Sequence, residues 1–434
     1  MNKSKVAIVG LGTVGAGVAK ILLDHGERVE RHAGKVLWLE KAVVRDLAKP
    51  RDCDLPYGVV TDKLQEVLDD PEIEVVAQLI GGLEPARTIM LQLLESGKNI
   101  VTANKALLAV HGPELFDRAR ELGRSIAFEA SVAGGVPIIA NISQCLSANQ
   151  ITSLRGILNG TSNFILSQME EGADYNDAVK EAQRLGYAEA DPSMDVDGTD
   201  AAQKLAILAH LAFGARVHWD QIPKMGIDSL DTADLRWAKQ LGYRIKLLAT
   251  AKLHADVLDL HVSPTLVKVG TPLAEVLGAN NAISVEGDMV GRVFYHGLGA
   301  GQLPTASAVV ADLIDTAVGR TEITFRTLEL WSQHEPRVTL SEHDQVKKRY
   351  YLRVNVKDHP GVLAQIAGCL GKEQISIASM IQKGMPDQTG RESDVSLVIM
   401  THEAEEGAAV RAISAMNQLD SVLAPAVRLP VIDE

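Results

Sequence analysis

Residues 5–15 read KVAIVGLGTVG, so an apolar strand pattern runs directly into a glycine-rich turn and then into an amphipathic helical pattern. A strand, such a turn and a helix in this order are the context in which a GxGxxG match indicates dinucleotide binding. Gly10 would permit the tight turn, Gly12 the approach of a pyrophosphate, and Gly15 close packing of the helix. The helix N-terminus would offer backbone N–H groups to the anion. We expect the residues of this turn to contact the dinucleotide, namely Gly10, Gly12, Thr13, Val14 and Gly15.

The next hundred residues repeat the same alternation. Short Val- and Ile-rich runs alternate with helix-like stretches from residue 5 to about 130, which is typical of βαβ units wound into a parallel sheet. The candidate strands are VAIVG, VLWLEKAVV, EVVAQLI, KNIVTA and SIAFEA. Three helical patterns then stand among β-prone segments, at about 137–147, 176–185 and 199–213.

The last third of the chain contains a helix, a polar stretch and a new alternation. PTASAVVADLIDTAV at 304–318 predicts a helix with proline in its first turn, which would return the chain to the first domain. Residues 321–348 are polar and lack a sustained period, which indicates a linker. Beyond them, a helix from Gly361 and another at 405–418 stand among four apolar runs, YYLRVNV, ISIASMIQ, SDVSLVIM and VLAPAVRLPVI. This βαββαβ order predicts a ferredoxin-like unit.

The predicted fold class is therefore α/β. It has an N-terminal Rossmann-like, doubly wound sheet, an α+β domain for substrate binding and dimerisation, and a C-terminal ferredoxin-like domain. The predicted boundaries are 1–135 with a return helix at 302–320, then 136–301, a linker at 321–348, and 349–434.

Composition excludes several classes of protein. A chain of 434 residues with 46% hydrophobic residues can bury more than one core. The net charge of -13 disfavours a nucleic-acid partner, and apolar runs such as 205–215 are shorter than the roughly 18 residues of a membrane span. Cys53, Cys145 and Cys369 offer no disulfide framework. Because the N-terminus leaves no room for a signal peptide, we expect a cytoplasmic protein with small-molecule partners and no membrane partner.

The end of the second strand bears on the choice of cofactor. At this position an acid binds the ribose hydroxyls of NAD, whereas an arginine accepts the 2′-phosphate of NADP. Arg45 favours NADP, and the adjacent Asp46 keeps NAD open. Either residue could instead be a solvated strand end.

Two lysines and a group of carboxylates form the chemically densest part of the sequence. KNIVTANK places Lys105 at the carboxyl end of a strand, where doubly wound sheets bind ligands. Residues 186–204 hold five carboxylates and end in a helical pattern in which Asp200 and Lys204 share a face. From the residues alone an acidic loop with an ordinary ion pair stays open. An all-oxygen metal loop also stays open, although the spacing is not that of an EF-hand.

Six motifs, in order, resemble those of homoserine dehydrogenases. They are GLGTVG at 10–15, TANKALL at 102–108, EASVAGGVP at 129–137, NGTSN at 159–163, GYAEADPSMDVDGTDAAQKLAILA at 186–209 and GAGQLPTASAVVADL at 299–313. DHPGVLA at 358–364 resembles an ACT domain, so the arrangement is similar to the bacterial single-function form. The resemblance implies NAD(P)-dependent interconversion of L-homoserine and L-aspartate 4-semialdehyde, which serves the synthesis of threonine, methionine and isoleucine.

The same resemblance implies roles for individual residues. Lys204 corresponds to the proton donor to the aldehyde oxygen, and Lys105 to a second catalytic lysine that also borders the cofactor. The positions implied to bind the substrate are Glu189, Asp200, Asn159 and Thr161. Further cofactor contacts are implied at Gly186 and Gly301.

A monovalent cation, expected to be sodium, is also implied. Its ligands would come from Glu129, Val132, Gly134 and Val136. From the residues alone, Glu129 could simply cap the glycine turn that follows it.

The ACT resemblance predicts a bound pathway amino acid, threonine, that lowers activity. Gly361 would permit close backbone approach at the start of a helix whose N–H groups can bind a carboxylate. The regulatory residues would be Asp358, Gly361, Val362 and Leu363. A homodimer or homotetramer is expected because the sheet edges can pair between chains, and the alternative is a domain that only promotes oligomerisation.

Two other classes of protein remain open at this point. An aspartate-semialdehyde dehydrogenase would need a cysteine nucleophile. Cys145 stands at helical spacing among apolar residues, which favours a buried structural thiol. The second alternative, an NAD(P)-binding amino-acid sensor without activity, does not require two lysines near the nicotinamide.

Overall fold

The computed structural model describes residues 3–328, 331, 336–384 and 394–433. The chain divides into two compact units, each built from three segments. The first unit comprises Met1–Gly160, Thr199–Ile222 and Ala279–Val338, and the second comprises Thr161–Gly198, Pro223–Gly278 and Thr339–Glu434. These units cut across the predicted domain boundaries, which stay a prediction.

The strands and helices of both units follow in chain order. The strands are β1 Lys3–Val9, β2 Val36–Val43, β3 Val60–Thr61, β4 Ile73–Gln78, β5 Asn99–Thr102, β6 Ile126–Ala127, β7 Ile151–Ile157, β8 Tyr243–His254, β9 Val257–Lys268, β10 Asn280–Gly287, β11 Gly291–Leu298, β12 Thr339–Leu340, β13 Lys347–Lys357, β14 Ile377–Gly384, β15 Asp394–Thr401, β16 Ala404–Glu405 and β17 Val427–Ile432. The α-helices are α1 Thr13–Asp24, α2 Gly26–Ala33, α3 Gln65–Leu68, α4 Ala86–Glu95, α5 Lys105–Glu121, α6 Ile138–Ala140, α7 Gly160–Glu171, α8 Tyr175–Arg184, α9 Ser193–Val196, α10 Thr199–Phe213, α11 Thr232–Gln240, α12 Gln302–Ala317, α13 Arg320–Leu328, α14 Val362–Lys372 and α15 Glu406–Met416.

A six-stranded sheet in the first unit has the order β3-β2-β1-β4-β5-β6, with every neighbouring pair parallel. The five strands predicted from the sequence are all present, and β3 was missed because two residues show no period. The strand order reverses between β1 and β4, and ligands of doubly wound sheets bind at such a reversal. The predicted return helix is also confirmed as α12, whose Val309 and Leu313 are fully buried with Val6 and Ile8 of β1.

The glycine-rich turn after β1 depends on three glycines in three different ways. Gly10 has a φ of +101°, a left-handed conformation that residues with a Cβ rarely adopt. A Cβ on Gly15, near the start of α1, would lie 2.2 Å from the carbonyl oxygen of Gly10 and 3.5 Å from the side chain of Ile8, so Gly15 lets the helix start lie close to the turn and to β1. Gly17 adds a close contact between helices, where a Cβ would lie 3.0 Å from the Cβ of Ala306 in α12.

One predicted helix differs in detail from the structure. The pattern at 137–147 gives only α6, which continues as a π-helical turn over Asn141–Cys145. In that turn Ile142 is buried and Cys145 is exposed. The prediction of a buried thiol was wrong because the π-helical turn departs from the 3.6-residue period used to place it.

The predicted linker contains more regular structure than its composition indicated. Helix α13 occupies its first residues, and Phe325 on that helix stacks on Phe116 with ring centroids 5.3 Å apart. Burial of this one aromatic ring outweighs the polar character of the segment. Residues 329–330 and 332–335 of the predicted linker lie outside the described residues.

The second unit contains the predicted βαββαβ order as β13, α14, β14, β15, α15 and β17. Its sheet order β17-β13-β15-β14 is antiparallel throughout, and α14 and α15 pack against one face. Val431 of β17 also pairs in parallel with Leu266 of β9, so the ferredoxin-like sheet continues into the β8–β9 hairpin.

A buried ion pair joins the ferredoxin-like sheet to helix α11. Asp234 of α11 is fully buried and accepts hydrogen bonds from Arg353 of β13 through Nε at 2.6 Å and Nη2 at 2.8 Å. The hydroxyl of Tyr351 donates to the same carboxylate at 3.0 Å. Oδ2 of Asp234 also accepts the backbone N–H of Asp231 at 3.2 Å, but its cationic partner comes from β13, so removal of that strand would leave a buried charge without a counter-ion.

Gly15→Ala is expected to destabilise the first unit by about 1–3 kcal/mol, the usual cost of overpacking, because the added Cβ meets the Gly10 carbonyl. Gly26→Ala is the matched control, since a Cβ at this first residue of α2 meets nothing within 4 Å. Thermal unfolding midpoints measure both variants. Equal midpoints for the two would contradict the assignment of Gly15 to the turn.

Candidate active site

A buried carboxylate held by two lysines forms the centre of the candidate site. Asp200, whose side chain is 4% exposed, has Oδ1 2.6 Å from Nζ of Lys105 and Oδ2 2.7 Å from Nζ of Lys204. The side-chain amide of Asn159 donates to Oδ2 of Asp200 at 2.9 Å. The structure therefore brings together four of the predicted site residues, all in the first unit.

The position of Lys105 follows from the end of β5. Asn104, the N-cap of α5, accepts a hydrogen bond from the backbone N–H of Leu107 at 3.0 Å. Its amide also donates to the carbonyl oxygens of Ile80 at 2.9 Å and Gly82 at 2.7 Å. Asn104 thus ties the start of α5 to the loop after β4, and Lys105 begins the helix at the carboxyl edge of the sheet.

Lys204 is held from a second direction by the chain after β7. Its Nζ donates to the carbonyl oxygen of Leu158 at 2.6 Å, and its side chain is 12% exposed. The same carbonyl accepts a hydrogen bond from the amide of Asn281 at 3.0 Å. Asn281 was missed by the sequence reasoning, because an asparagine in a β-strand carries no local signal for a contact 123 residues away.

Charge at this centre is uneven. Burial alone would raise the pKa of Asp200, but the ammonium groups of Lys204 and Lys105 outweigh it and hold this pKa well below the ordinary aspartate range. Asp200 is therefore ionised, and one negative charge faces two positive ones. The excess positive charge suits an anionic or oxygen-bearing reactant.

Three other predicted residues lie in the second unit. The hydroxyl of Thr161 donates to the carbonyl oxygen of Tyr187 at 2.6 Å, which ties the start of α7 to the acidic loop. Glu189 is exposed in that loop, and its carbonyl accepts from the amide of Gln183 at 3.2 Å. Gly186 has a φ of +76°, so it serves the turn after α8.

The glycine-rich turn fits a dinucleotide. A Cβ on Gly12 would meet nothing within 4 Å, so open space lies in front of the backbone at the N-terminus of α1. No side chain caps this helix, whose first N–H groups can therefore bind a phosphate. Gly301, with a φ of +117°, stands at the N-cap of α12, the helix that packs against α1.

Of the two residues at the strand end that was predicted to select the cofactor, Asp46 already uses its side chain in a hydrogen bond. The carboxylate of Asp46 accepts the backbone N–H of Ala48 at 2.9 Å, so it caps a local turn. Arg45 is exposed directly after β2.

Glu129, the one carboxylate predicted to bind a monovalent cation, is held by the backbone of the next helix. Glu129 is buried, and its two oxygens accept the backbone N–H groups of Ile139 at 2.9 Å and Ala140 at 2.7 Å. Burial raises the pKa of Glu129 to about 7, although those N–H groups oppose the rise. Both oxygens thus cap α6, the helix after the glycine turn, and not the glycine turn itself that the alternative interpretation named. Within the described ranges no group of three or more His, Cys, Asp or Glu side chains could hold a metal.

The predicted regulatory turn has the expected backbone. Gly361 has a φ of +95° and is the N-cap of α14, and Asp358 and Leu363 nearby are exposed. The side chain of Val362 packs in the core of the ferredoxin-like unit instead. Across the described residues, no helix is long and apolar enough to cross a membrane.

A doubly wound sheet, an open glycine turn and paired lysines at the carboxyl edge define an NAD(P)-dependent oxidoreductase. Family models agree along the chain: "Homoserine dehydrogenase, NAD binding domain" matches residues 10–129, "Homoserine dehydrogenase" 137–314 and "ACT domain" 350–419. Homoserine dehydrogenase of Pseudomonas aeruginosa is 45% identical over 438 residues, which covers 99% of each chain. The chain therefore belongs to the homoserine dehydrogenase family.

Solved structures show the same relationship. The homoserine dehydrogenase from Thiobacillus denitrificans is 42% identical with a TM-score of 0.91, over 100% of this chain and 99% of that one. A hyperthermophilic archaeal homoserine dehydrogenase in complex with NADPH is 27% identical with a TM-score of 0.61, over 72% of this chain and 97% of that one. The family, fold class and activity predicted from the sequence are confirmed. The aspartate-semialdehyde dehydrogenase and sensor alternatives are set aside.

Asp200→Asn is expected to destabilise the protein by roughly 3 kcal/mol at neutral pH, the low end of the usual cost of breaking a buried ion pair. The low end applies because Lys105 is partly exposed. The depressed pKa of Asp200 means that its charge stabilises the fold above the ordinary aspartate pKa. That stabilisation is lost as the pH falls toward the folded-state pKa. Thermal midpoints of wild type and variant should therefore converge in acid.

The control for this pH series is Asp62→Asn, which changes an exposed aspartate in the same unit. It should leave the pH dependence of the midpoint unchanged. A difference between Asp200→Asn and wild type that is constant at every pH would contradict the ionised state assigned to Asp200.

Proposed function

We propose that Lys204 and Lys105, positioned by Asp200, carry the interconversion of L-homoserine and L-aspartate 4-semialdehyde. The observation that supports this is the pair of ammonium groups, 2.6 and 2.7 Å from opposite oxygens of one buried carboxylate. A bound nicotinamide cofactor supplies or accepts the hydride. The chain must then handle the charge and the proton on the substrate oxygen.

Lys204 suits the role of proton donor. Reduction of an aldehyde places negative charge on its oxygen, which needs a positioned cation and a proton. Asp200 and the Leu158 carbonyl hold the Lys204 ammonium from two directions, so its geometry does not depend on the substrate. Lys105, 36% exposed, is the more accessible of the two and borders the cofactor edge.

Asp200 acts on the two lysines at once. Repulsion between neighbouring ammonium groups favours loss of a proton, whereas a carboxylate between them favours the charged form. Its oxygens already bind Lys105, Lys204 and Asn159. We therefore assign Asp200 to positioning the lysines, and Glu189, with Asn159 and Thr161, to the amino-acid end of the substrate.

NADP is the proposed cofactor. The turn from Gly10 to Gly15 would bind the pyrophosphate, with Gly186 and Gly301 as further contacts. Arg45 would accept the 2′-phosphate, and Asp46, the residue that kept NAD open, already uses its carboxylate in a turn. The archaeal relative with NADPH supports the same choice.

A monovalent cation, sodium, stays a proposal, with Glu129, Val132, Gly134 and Val136 as its ligands, because a carboxylate oxygen that accepts one backbone N–H keeps a lone pair. A cytoplasmic location and a homodimer or homotetramer stay predictions.

Lys204→Ala is expected to lower kcat by roughly 10²- to 10⁴-fold, the usual contribution of a general acid, and to leave NADPH affinity unchanged. The reason is that Lys204 contacts Asp200 and Leu158 and not the glycine-rich turn. Absorbance at 340 nm measures turnover, and nicotinamide fluorescence measures binding. Lys180→Ala on the surface of α8 is the control. Near-wild-type turnover of folded Lys204→Ala would transfer the role to Lys105.

We also propose that threonine binds the ACT domain at the turn of Asp358, Gly361 and Leu363, with Val362 contributing backbone only, and lowers activity. The left-handed Gly361 opens the N-terminus of α14, which no side chain caps. Inhibition requires threonine to favour one conformational state of the enzyme over another.

Asp358→Ala is expected to raise the threonine concentration for half inhibition by about tenfold, within the usual range of allosteric coupling, with unchanged activity in its absence. Asp420→Ala, another exposed aspartate of the ACT domain, is the matched control. A point substitution is preferred to truncation before Tyr350, because truncation would also remove Arg353, the ion-pair partner of Asp234. Inhibition curves that coincide for both variants and wild type would exclude the turn as the threonine site.

A further inference from the structure

A polar cavity in the second unit lies between strand β9 and the ferredoxin-like sheet. Its volume is about 130 Å³, room for about ten waters when each needs 10–15 Å³. The side chains that the argument uses are Lys224, His261, His343, Lys348, Glu406 and Arg428. This cavity, which we call the β9 cavity, is separate from the predicted regulatory turn at Gly361.

Lys348 of β13 faces the β9 cavity with an ammonium group that has no hydrogen bond to any described residue. Burial lowers the pKa of Lys348, and the carboxylates of Asp259 and Glu406 oppose that shift only through space. The ammonium group of Lys348 has three donors and opens onto the cavity, where a ligand could supply an acceptor.

Two histidines add unused ring nitrogens beside Lys348. His261 is 7% exposed, and its Nδ1 lies 3.2 Å from Asp259 without forming a hydrogen bond. Nδ1 of His343 lies 3.9 Å from the same carboxylate and is likewise without a hydrogen bond to any described residue. Burial lowers the pKa of His261, and the positive charge of Lys348 lowers it further. The nearby carboxylate of Asp259 opposes both effects.

Glu406 does not compete for these donors. It accepts the hydroxyl of Tyr350 at 2.6 Å and is paired with Arg428. Its nearest approach to His343 is 3.8 Å. The one carboxylate that lines the cavity is thus already paired, while Asp259, behind the two histidines, keeps Oδ1 without a hydrogen bond to any described residue.

We propose that the β9 cavity is a binding site for a small oxyanion, a carboxylate or a phosphate, held by Lys348 with His261 and His343. Charge-assisted hydrogen bonds to the anion would satisfy the ammonium group and the ring nitrogens together. The ligand would touch β9 on one side and β13 with α15 on the other. It would therefore link the β8–β9 hairpin to the ACT domain.

Calorimetric titration of the full chain tests this site with two probes, inorganic phosphate and L-threonine. Lys348→Met is expected to weaken binding by roughly tenfold or more, since a charge-assisted hydrogen bond is lost. Lys347→Met, at the exposed neighbouring residue of β13, should bind like wild type. His261→Gln is the second variant, so the test stands if Lys348→Met does not fold.

Each outcome decides the proposal. Phosphate binding that depends on Lys348 identifies an inorganic-anion site, and threonine binding that depends on Lys348 identifies an amino-acid site. Threonine binding that is weakened by Asp358→Ala and unaffected by Lys348→Met overturns the cavity proposal and leaves the regulatory proposal standing. The proposal is also overturned if neither probe binds, or if Lys348→Met and His261→Gln both bind the probes as wild type does.

Discussion

One buried carboxylate constrains the catalytic unit. Asp200 is tolerable inside the protein only while Lys105 and Lys204 stay within ion-pair distance, since an uncompensated buried charge costs several kcal/mol. Lys105 begins a helix at the carboxyl edge of the parallel sheet, and Lys204 lies one helical turn beyond Asp200. The ion pairs thus fix α10 against the end of β5. With the catalytic role proposed for the two lysines, stability and catalysis would depend on the same contacts, so few substitutions here could separate them.

The second unit uses the same physics for a different purpose. Asp234 has no exposed surface and is neutralised by Arg353, 119 residues away. This pair holds α11 to the ACT strand β13, and parallel pairing of β17 with β9 adds a backbone connection. An effector that shifted β13 would have to move or break a buried ion pair. The connection of β13 to α11 therefore depends on this ion pair, and that of the ACT sheet to β9 on backbone pairing.

The features that could be predicted from the sequence are those that local patterns encode. Strands such as VAIVG, the glycine turn and the helix carrying Asp200 and Lys204 were recoverable because their periods and spacings are short-range. Contacts between distant residues were not: no local signal placed Asn281 at the Leu158 carbonyl, or Gly17 against Ala306. The helix at Phe325 and the exposure of Cys145 were not predicted for a related reason. The first is decided by tertiary packing and the second by a π-helical turn.

The contact between α1 and α12 has a consequence for how the chain is made. The core around β1 includes Val309 and Leu313 of α12, and Gly17 lies against Gln302 and Ala306. A ribosome adding 5–20 residues per second needs roughly 15–60 s to travel from α1 to α12. For that interval the apolar face of α1 has no native cover, although all six strands of its sheet have already emerged. The N-terminal sheet therefore completes its native packing only after the return helix has been synthesised.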